Sequence, residues 1–462
     1  MATIGNSATL FFVTSPRTPW KFIPEIEVLG HSFTGKKWNG NTQVEFMNTL
    51  MQEDFYVGSK KLNDPAFSAR DRITRAPKAY GFVQLKPTIS LTKAGEALVS
   101  AKRKDEILLR QLLKFQLPSV YHKQVAESLT EYWVKPFLEI IRLIYHFGSL
   151  TFDEIKIFGM QLTDYRKFDE VCQKIEDFRK EQALHKGKYK SFYQKVCFNE
   201  ILRLYHYQIN EGNTKTRESE DTSLKNFMIT KLSNLRDYTD ACFRYLRATN
   251  YILISQSGHS LSIAPEKKEA VEFLLKTIDR NPCYVDNKGE YETYLFDTTK
   301  PELYTDNPAH LIDVIHKYDP TKDVTGCSII ELRDMEYELI EAGKKKKLEQ
   351  EIQKVKNYEQ FDDIVHVFNC IGKKVFYDDP LQMEWNTWRA MTMLDGGHIQ
   401  ANLNFDDFAR PLSTAPGNAA DIVCDYDDFF VNVEVTLQTG QKQYDNEGEP
   451  VARHLGKQVE KT

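Results

Sequence analysis

Residues 421–437 leave little freedom about their backbone. From 429 to 437 apolar and polar residues alternate, with Val431, Val433, Val435 and Leu437 on one side and Asn432, Glu434 and Thr436 on the other. A period of two predicts an extended strand with one face toward a core. Residues 421–426 read as a preceding strand, and Asp427-Asp428 as the turn. A turn centred between those aspartates sets Asp421 opposite Glu434. Directly opposed residues share a face, with Cβ atoms roughly 4.5–5.5 Å apart. Two carboxylates so placed repel each other unless a cation lies between them. A hard divalent ion, Mg2+ or Mn2+, accepts such oxygen ligands and keeps several waters. It can activate a water and stabilise charge on a phosphodiester. The alternative is a solvent-facing hairpin whose polar residues simply meet water.

Three neighbours extend this constellation. Glu447 lies beyond the second strand in a Gly- and Asn-containing loop, placed to complete a metal shell. Pro450 favours a helix start, and a helix over 451–461 carries Arg453 and His454. His454 is a candidate for orienting water or a phosphate, against a purely structural role. Upstream, Glu384 sits in Met383-Glu384-Trp385-Asn386-Thr387-Trp388, where tryptophans three apart indicate a buried helical face. Its carboxylate is either capped locally or points into a site.

A chain of 462 residues exceeds one typical core and suits three or four domains. No apolar run approaches the roughly 18 residues of a bilayer span, and no basic segment precedes the short apolar run 8–13 as in a signal peptide. A cytoplasmic protein without a membrane partner is expected. The seven cysteines are scattered, with no C-x-x-C pair, which argues against a zinc site or disulfide framework. The net charge of −5 conceals an asymmetry: residues 1–250 hold 38 Lys and Arg against 28 Asp and Glu, and residues 251–462 hold 23 against 38. A basic half attracts phosphates and an acidic half tolerates metal ions, although ordinary surface solubility explains the same numbers.

In the first part, 80–85 and 88–91 read as short strands, followed by a helix opening near Thr92 and by helical patterns at 105–116 and 131–147. A second module spans about 149–275. Thr151 and Glu154 fit a capping box, 211–223 reads as a surface loop, and 224–248 as an amphipathic helix with Arg236, Arg244 and Arg247. Strands at 251–255 and 261–264 follow. Helix then hairpin is winged-helix order, with a helix available to a major groove; the other reading is that the arginines only solvate a helix face. Residues 280–330 look irregular. From 329 to 357 runs a long charged helix, expected to be exposed and to serve as a connecting arm, its Lys344–Lys347 run a solvated turn.

These residues also resemble a known family. Ser15-Pro16-Arg17-Thr18-Pro19, Ile23-Pro24-Glu25-Ile26-Glu27-Val28-Leu29, Ala66-Phe67-Ser68-Ala69-Arg70-Asp71-Arg72, Tyr80-Gly81-Phe82-Val83 and Glu384-Trp385 with Trp388 occur in order. So do Ala415-Pro416-Gly417-Asn418, Asp421, Val433-Glu434-Val435-Thr436 and Glu449-Pro450-Val451-Ala452-Arg453-His454. Together they resemble the AlwI family of type IIS restriction endonucleases, including related site-specific nicking endonucleases. The resemblance implies a multidomain α+β chain: mainly helical, winged-helix-like recognition domains (1–147 and 148–278), a linker domain with the long helix (279–375), and a mixed α/β PD-(D/E)xK-type nuclease core (376–462). It implies Mg2+-dependent cleavage of double-stranded DNA a few base pairs from a short asymmetric site. Asp421, Glu434 and Glu447 correspond to metal-binding carboxylates, and His454 and Glu384 to further active-site positions. Arg17, Arg70, Arg72, Arg75 and Lys78 are the DNA-contact candidates, against salt-bridged surface or contact with backbone phosphate alone.

Against the usual PD-(D/E)xK pattern, Ala420 replaces the proline before Asp421 and Thr436 replaces the customary lysine, although Val-Thr at 435–436 agrees with the AlwI family. The chain also ends at Thr462, where the family's core continues, so the nuclease core is expected to be incomplete. Double-strand cleavage from one active site per chain needs a second copy or a smaller partner subunit. The alternative function is DNA binding without cleavage, as in a truncated endonuclease or a winged-helix regulator. A helical scaffold without DNA affinity is a third reading.

Overall fold

The computed structural model describes residues 2–4, 7–56, 62–124, 130–185, 187–255, 259–373, 375–394, 397–415 and 419–459. Two units form within it. One comprises Met1–Thr42, Phe67–Leu253 and Ser260–Leu303; the other comprises Gln43–Ala66, Ile254–His259 and Tyr304–Thr462. Helices dominate both, and the sheets are small. Among the described residues no helix is long and apolar enough to cross a membrane.

In the first unit, β1 (Val83–Gln84) and β2 (Ser90–Leu91) form a short antiparallel hairpin, pairing Val83 with Leu91. Thr92 then starts α1 (Lys93–Ser100): its hydroxyl accepts the Gly95 N–H at 3.0 Å and donates to the Gly81 carbonyl at 2.6 Å. That N-cap satisfies a backbone donor that a helix start otherwise leaves unpaired. After α2 (Lys104–Lys114) and α3 (Pro136–Phe147) comes β3 (Ser149–Thr151). Thr151 opens α4 (Phe152–Ile157) with the expected capping box, donating its N–H to Glu154 at 2.7 Å and accepting the Glu154 N–H at 3.2 Å. The long α5 (Leu224–Arg247) buries Leu235, Cys242, Phe243 and Leu246. β4 (Ile252–Ile254) and β5 (Ser260–Ile263) complete a sheet ordered β3-β5-β4, in which Leu150 pairs with Leu261. Ring centroids of Phe115, Phe137 and Tyr245 lie 5.5, 6.1 and 5.1 Å from that of Tyr80, so edge-to-face aromatics join α2, α3 and α5. The stretch 280–330 is less irregular than its composition suggests. It holds a helix at Lys288–Phe296, capped by Asn287, and, already in the second unit, α6 (Pro308–Tyr318), capped by Asn307.

In the second unit, Ser328 and Glu331 form a capping box at the head of α7 (Ile329–Lys356), a helix of 28 residues. It is not a solvent-surrounded arm. Near its start Leu332 packs with Leu311 and Ile315 of α6. Farther along, Leu348 and Ile352 pack against a cluster of Trp388, Ile399, Ile422 and Cys424. α8 (Phe361–Cys370) is tied to α9 (Asp379–Leu394) by Arg389, which donates to Asp363 at 2.6 Å and to Gln360 at 3.0 Å while 5% exposed. The strands β6 (His398–Ala401), β7 (Ile422–Asp425) and β8 (Phe430–Val433) form an antiparallel sheet with β7 central. Val433 and Val435 reach the tryptophan cluster, whereas Val431 and Leu437 are 38% and 42% exposed, so the apolar side of the alternating run is only half core. The last helix, α10 (Gln441–Val459), starts well before Pro450. Glu447 therefore lies in a helix rather than a loop, with its side chain outside the described residues.

Two glycines test this packing. A Cβ on Gly95 would lie 2.0 Å from the Phe82 carbonyl oxygen, whereas one on Gly343 in α7 meets nothing within 4 Å. Gly95→Ala is expected to destabilise by about 3 kcal/mol or more. Gly343→Ala is expected to stabilise by roughly 0.5–1 kcal/mol, as a glycine removed from a helix interior does. Denaturant melts of the two variants check both signs.

Candidate active site

The β7–β8 hairpin positions the acidic pair. Its ladder runs Asp425–Phe430, Cys424–Val431, Val423–Asn432 and Ile422–Val433. Asp427 takes a positive φ of 66° at the turn, where Tyr426 donates its N–H to Phe429 at 2.9 Å. The turn is thus centred between Asp427 and Asp428. One step past the last ladder pair, Asp421 comes opposite Glu434, so both sit on the side of the sheet away from Ile422 and Val433. The Asp421 carboxylate accepts the Val435 N–H at 2.7 Å, which closes this end of the hairpin.

Helix α9 contributes the third carboxylate. Its Trp388 is 1% exposed and donates its indole N–H to the Ile399 carbonyl at 3.1 Å, fixing the helix against β6. Trp385 stacks on Trp388 at 4.7 Å between centroids. Glu384 lies one turn before Trp388 and on the same side of the helix. It is 4% exposed and accepts the Ala415 N–H at 2.7 Å. Burial pushes its carboxyl up to about 8, helped by the charges of Asp421, Asp378 and Glu434 and opposed by the Ala415 hydrogen bond. Glu384, Asp421 and Glu434 therefore share one electrostatic environment although α9 and the hairpin are far apart in sequence. Asp378, just ahead of α9, belongs to the same acidic neighbourhood. The signal for it was the Asp378-Asp379-Pro380 helix start, which was not singled out.

α10 brings His454 over the pair. Its Nδ1 lies 2.7 Å from a Glu434 oxygen, and its side chain is 5% exposed. Facing a carboxylate, Nδ1 donates, which fixes the ring's orientation. Pro416, Gly417 and Asn418 lie outside the described residues. Oxygen donors of this kind suit a hard divalent cation. As they stand, each of the three carboxylates bonds to its own chain, and among the described residues no three acidic, histidine or cysteine side chains are gathered closely enough to hold an ion.

The basic candidates belong to the first unit. Arg17 pairs with Asp237 at 3.1 Å and Asp240 at 3.4 Å. Arg72 turns inward to Glu25, whose carboxyl burial raises to about 7 against the pull of that guanidinium. Arg75 pairs with Asp71 at 2.8 Å with its side chain 47% exposed. Arg70 is exposed, 5.9 Å from the centre of the Phe67 ring. Lys78 is half-buried over the Tyr121 ring at 5.2 Å, and burial lowers its pKa.

The acidic neighbourhood makes a pH prediction for the metal-free protein. Glu384 keeps its proton to about pH 8 when folded but loses it near 4.5 when unfolded. Between those values the folded state binds more protons, so stability falls as pH rises. The melting temperature of metal-free protein is expected to decline across that window, and Glu384→Gln to flatten the decline. Identical slopes in the two proteins would contradict this.

A family model described as AlwI restriction endonuclease matches residues 79–462. The matched part includes the whole acidic site; the blocks at 15–19, 23–29 and 66–72, with all five basic candidates, precede it. No curated protein sequence matches the chain. Since the family match spans most of the chain, from the first hairpin through every strand and helix that carries the acidic residues, the protein belongs to the AlwI restriction endonuclease family.

Proposed function

We propose that this family member is a type IIS enzyme that binds a short asymmetric site in double-stranded DNA and hydrolyses a phosphodiester bond a few base pairs away. The observation that carries the reading is a hairpin register that sets Asp421 and Glu434 one step past its last pair, with buried Glu384 feeling the charge of both. Asp421 and Glu434, with Glu447, are the proposed ligands of Mg2+, and Mn2+ fits the same oxygens. When bound, such an ion supplies charge neutralisation at the phosphate and an activated water. Glu384 holds a proton close to the pair, and His454 orients Glu434 through Nδ1. The C-terminal strands and helices are read as a variant PD-(D/E)xK core. The sheet β3-β5-β4 with α4 and α5 is read as a winged-helix-like recognition module.

On the recognition side, Arg70 and Arg75 have the exposure a phosphate contact requires. Arg17 and Lys78 are proposed beside them, and Arg72 contributes only by exchanging Glu25 for DNA. With one active site per chain, double-strand cleavage requires a second copy or a smaller subunit, and a lone chain acts as a nickase. The competing reading, DNA binding without cleavage, is favoured by the carboxylates' existing bonds to their own chain.

A supercoiled plasmid carrying target sites, incubated with the protein and Mg2+, separates the two. Cleavage predicts nicked or linear product, lost in EDTA and reduced at least about 100-fold in Asp421→Ala and Glu434→Ala, since even outer partners of a metal ligand account for 10- to 100-fold. Salt-sensitive DNA binding with intact plasmid under every metal condition would establish the competing reading.

A further inference from the structure

The basic candidates of the first unit are not held alike. Arg72 turns inward to Glu25, and Arg17 lies between Asp237 and Asp240, whose two charges outweigh its own. Arg75 faces one carboxylate, that of Asp71, at 2.8 Å, with its side chain 47% exposed. Asp71 gives Arg75 one oxygen and accepts the Ser15 hydroxyl on the other. Ser15 grips the chain on both sides of Arg75, since its carbonyl also accepts the Ala76 N–H at 3.2 Å.

The backbone at Arg75 is fixed as firmly. It stands where a π-helical turn, Arg70–Thr74, gives way to the short helix Ala76–Ala79. Its carbonyl accepts the Ala79 N–H at 2.8 Å, and the Trp38 indole N–H bonds to the Thr74 hydroxyl at 3.2 Å. Ile73 and Ala76, on either side, are buried and anchor the segment in the core. An arginine ordinarily loses rotamer freedom when it binds; here folding has already removed much of it.

Exposure suits a phosphate as well as a base, but the way Arg75 is held separates them. A phosphate attracts net charge, and a guanidinium beside a carboxylate presents little of it, while the carboxylate itself repels phosphate. A base edge asks instead for donors in a fixed direction. The guanidinium carries five N–H donors in a planar fork, so pairing with one Asp71 oxygen leaves donors for a second acceptor. Guanine presents O6 and N7 side by side in the major groove, which such a fork matches.

We propose that Arg75 reads a guanine of the recognition site, and that Asp71 and Ser15 are positioning residues that aim it. This rests on the reading of the first unit as the DNA-recognition side, and names a base edge as what Arg75 meets there.

The test uses the full chain with EDTA or Ca2+ in place of Mg2+, selecting duplexes from a randomised pool and measuring affinity against salt. Wild type is compared with Arg75→Ala, Arg75→Gln, Asp71→Asn, Ser15→Ala and Ser15→Thr, each with its melting temperature. Arg75→Ala is expected to lose roughly 5- to 150-fold of guanine preference at one position, with other positions and the salt slope as in wild type. Arg75→Gln, whose amide matches adenine, is expected to lose it at the same position. Asp71→Asn keeps the shape but frees the cation. Preference at that position is expected to fall, while affinity for unrelated DNA rises and its salt slope steepens by about 0.9. Ser15→Ala is expected to lower the same preference and Ser15→Thr, which keeps the hydroxyl, to retain it. Lower melting temperature and affinity in Asp71→Asn and Ser15→Ala, with no single base pair affected, would mean a merely structural role and overturn their assignment. An Arg75→Ala protein that keeps every wild-type preference and loses about 0.9 from the salt slope has lost a phosphate contact, which overturns this inference alone. A wild-type chain that selects no sequence overturns the recognition reading with it.

Discussion

Helix α9 brings a carboxylate to the end of a sheet only because the next turn of the same helix is sealed into the core. Trp388 fills the space between α7 and the strands and spends its one polar atom on the Ile399 carbonyl. That bond, with the ties from Arg389 and Asn386 to α8, holds the helix in place. Glu384, four residues earlier, is thereby held in the acidic neighbourhood of Asp421 and Glu434, where burial and their charges keep it protonated. Apolar packing is what keeps these acidic groups together here. On the proposed function, a cation entering here would relieve the crowding of these acidic groups.

The hairpin was legible because two independent signals agreed. Alternation gave the faces, and the Asp427-Asp428 turn gave the register; from those the meeting of Asp421 and Glu434 follows without any tertiary information. The capping box at Thr151 was legible for a similar reason, since its residues are local. Glu384 was only half legible: its tryptophan neighbours marked a buried face, but nothing in the sequence said which carboxylates that face would meet.

What was misread shares one cause, the dependence of meaning on distant partners. The long helix α7 looks exposed because its apolar residues are sparse; Leu332, Leu348 and Ile352 are enough once α6 supplies one surface and the tryptophan cluster another. The stretch 280–330 looked irregular from its Asp, Tyr and Pro, yet Asn287 and Asn307 each cap a helix in it. Arg72 read as a DNA-contact candidate or as part of a salt-bridged surface, and only the fold reveals that its partner is Glu25, 47 residues away. Asn432 gave no sign of its burial: on an alternating strand a polar residue is expected to meet water, and the enclosure of its amide is visible only in three dimensions.

The reach of α7 has a mechanical meaning. At 28 residues it is roughly 42 Å long, with one hydrophobic grip near its head and another past its middle. A rod held at two points cannot pivot at one without sliding at the other. A shift of α6 that moved the head of this rod would therefore be felt beneath Trp388, at the footing of the acidic cluster.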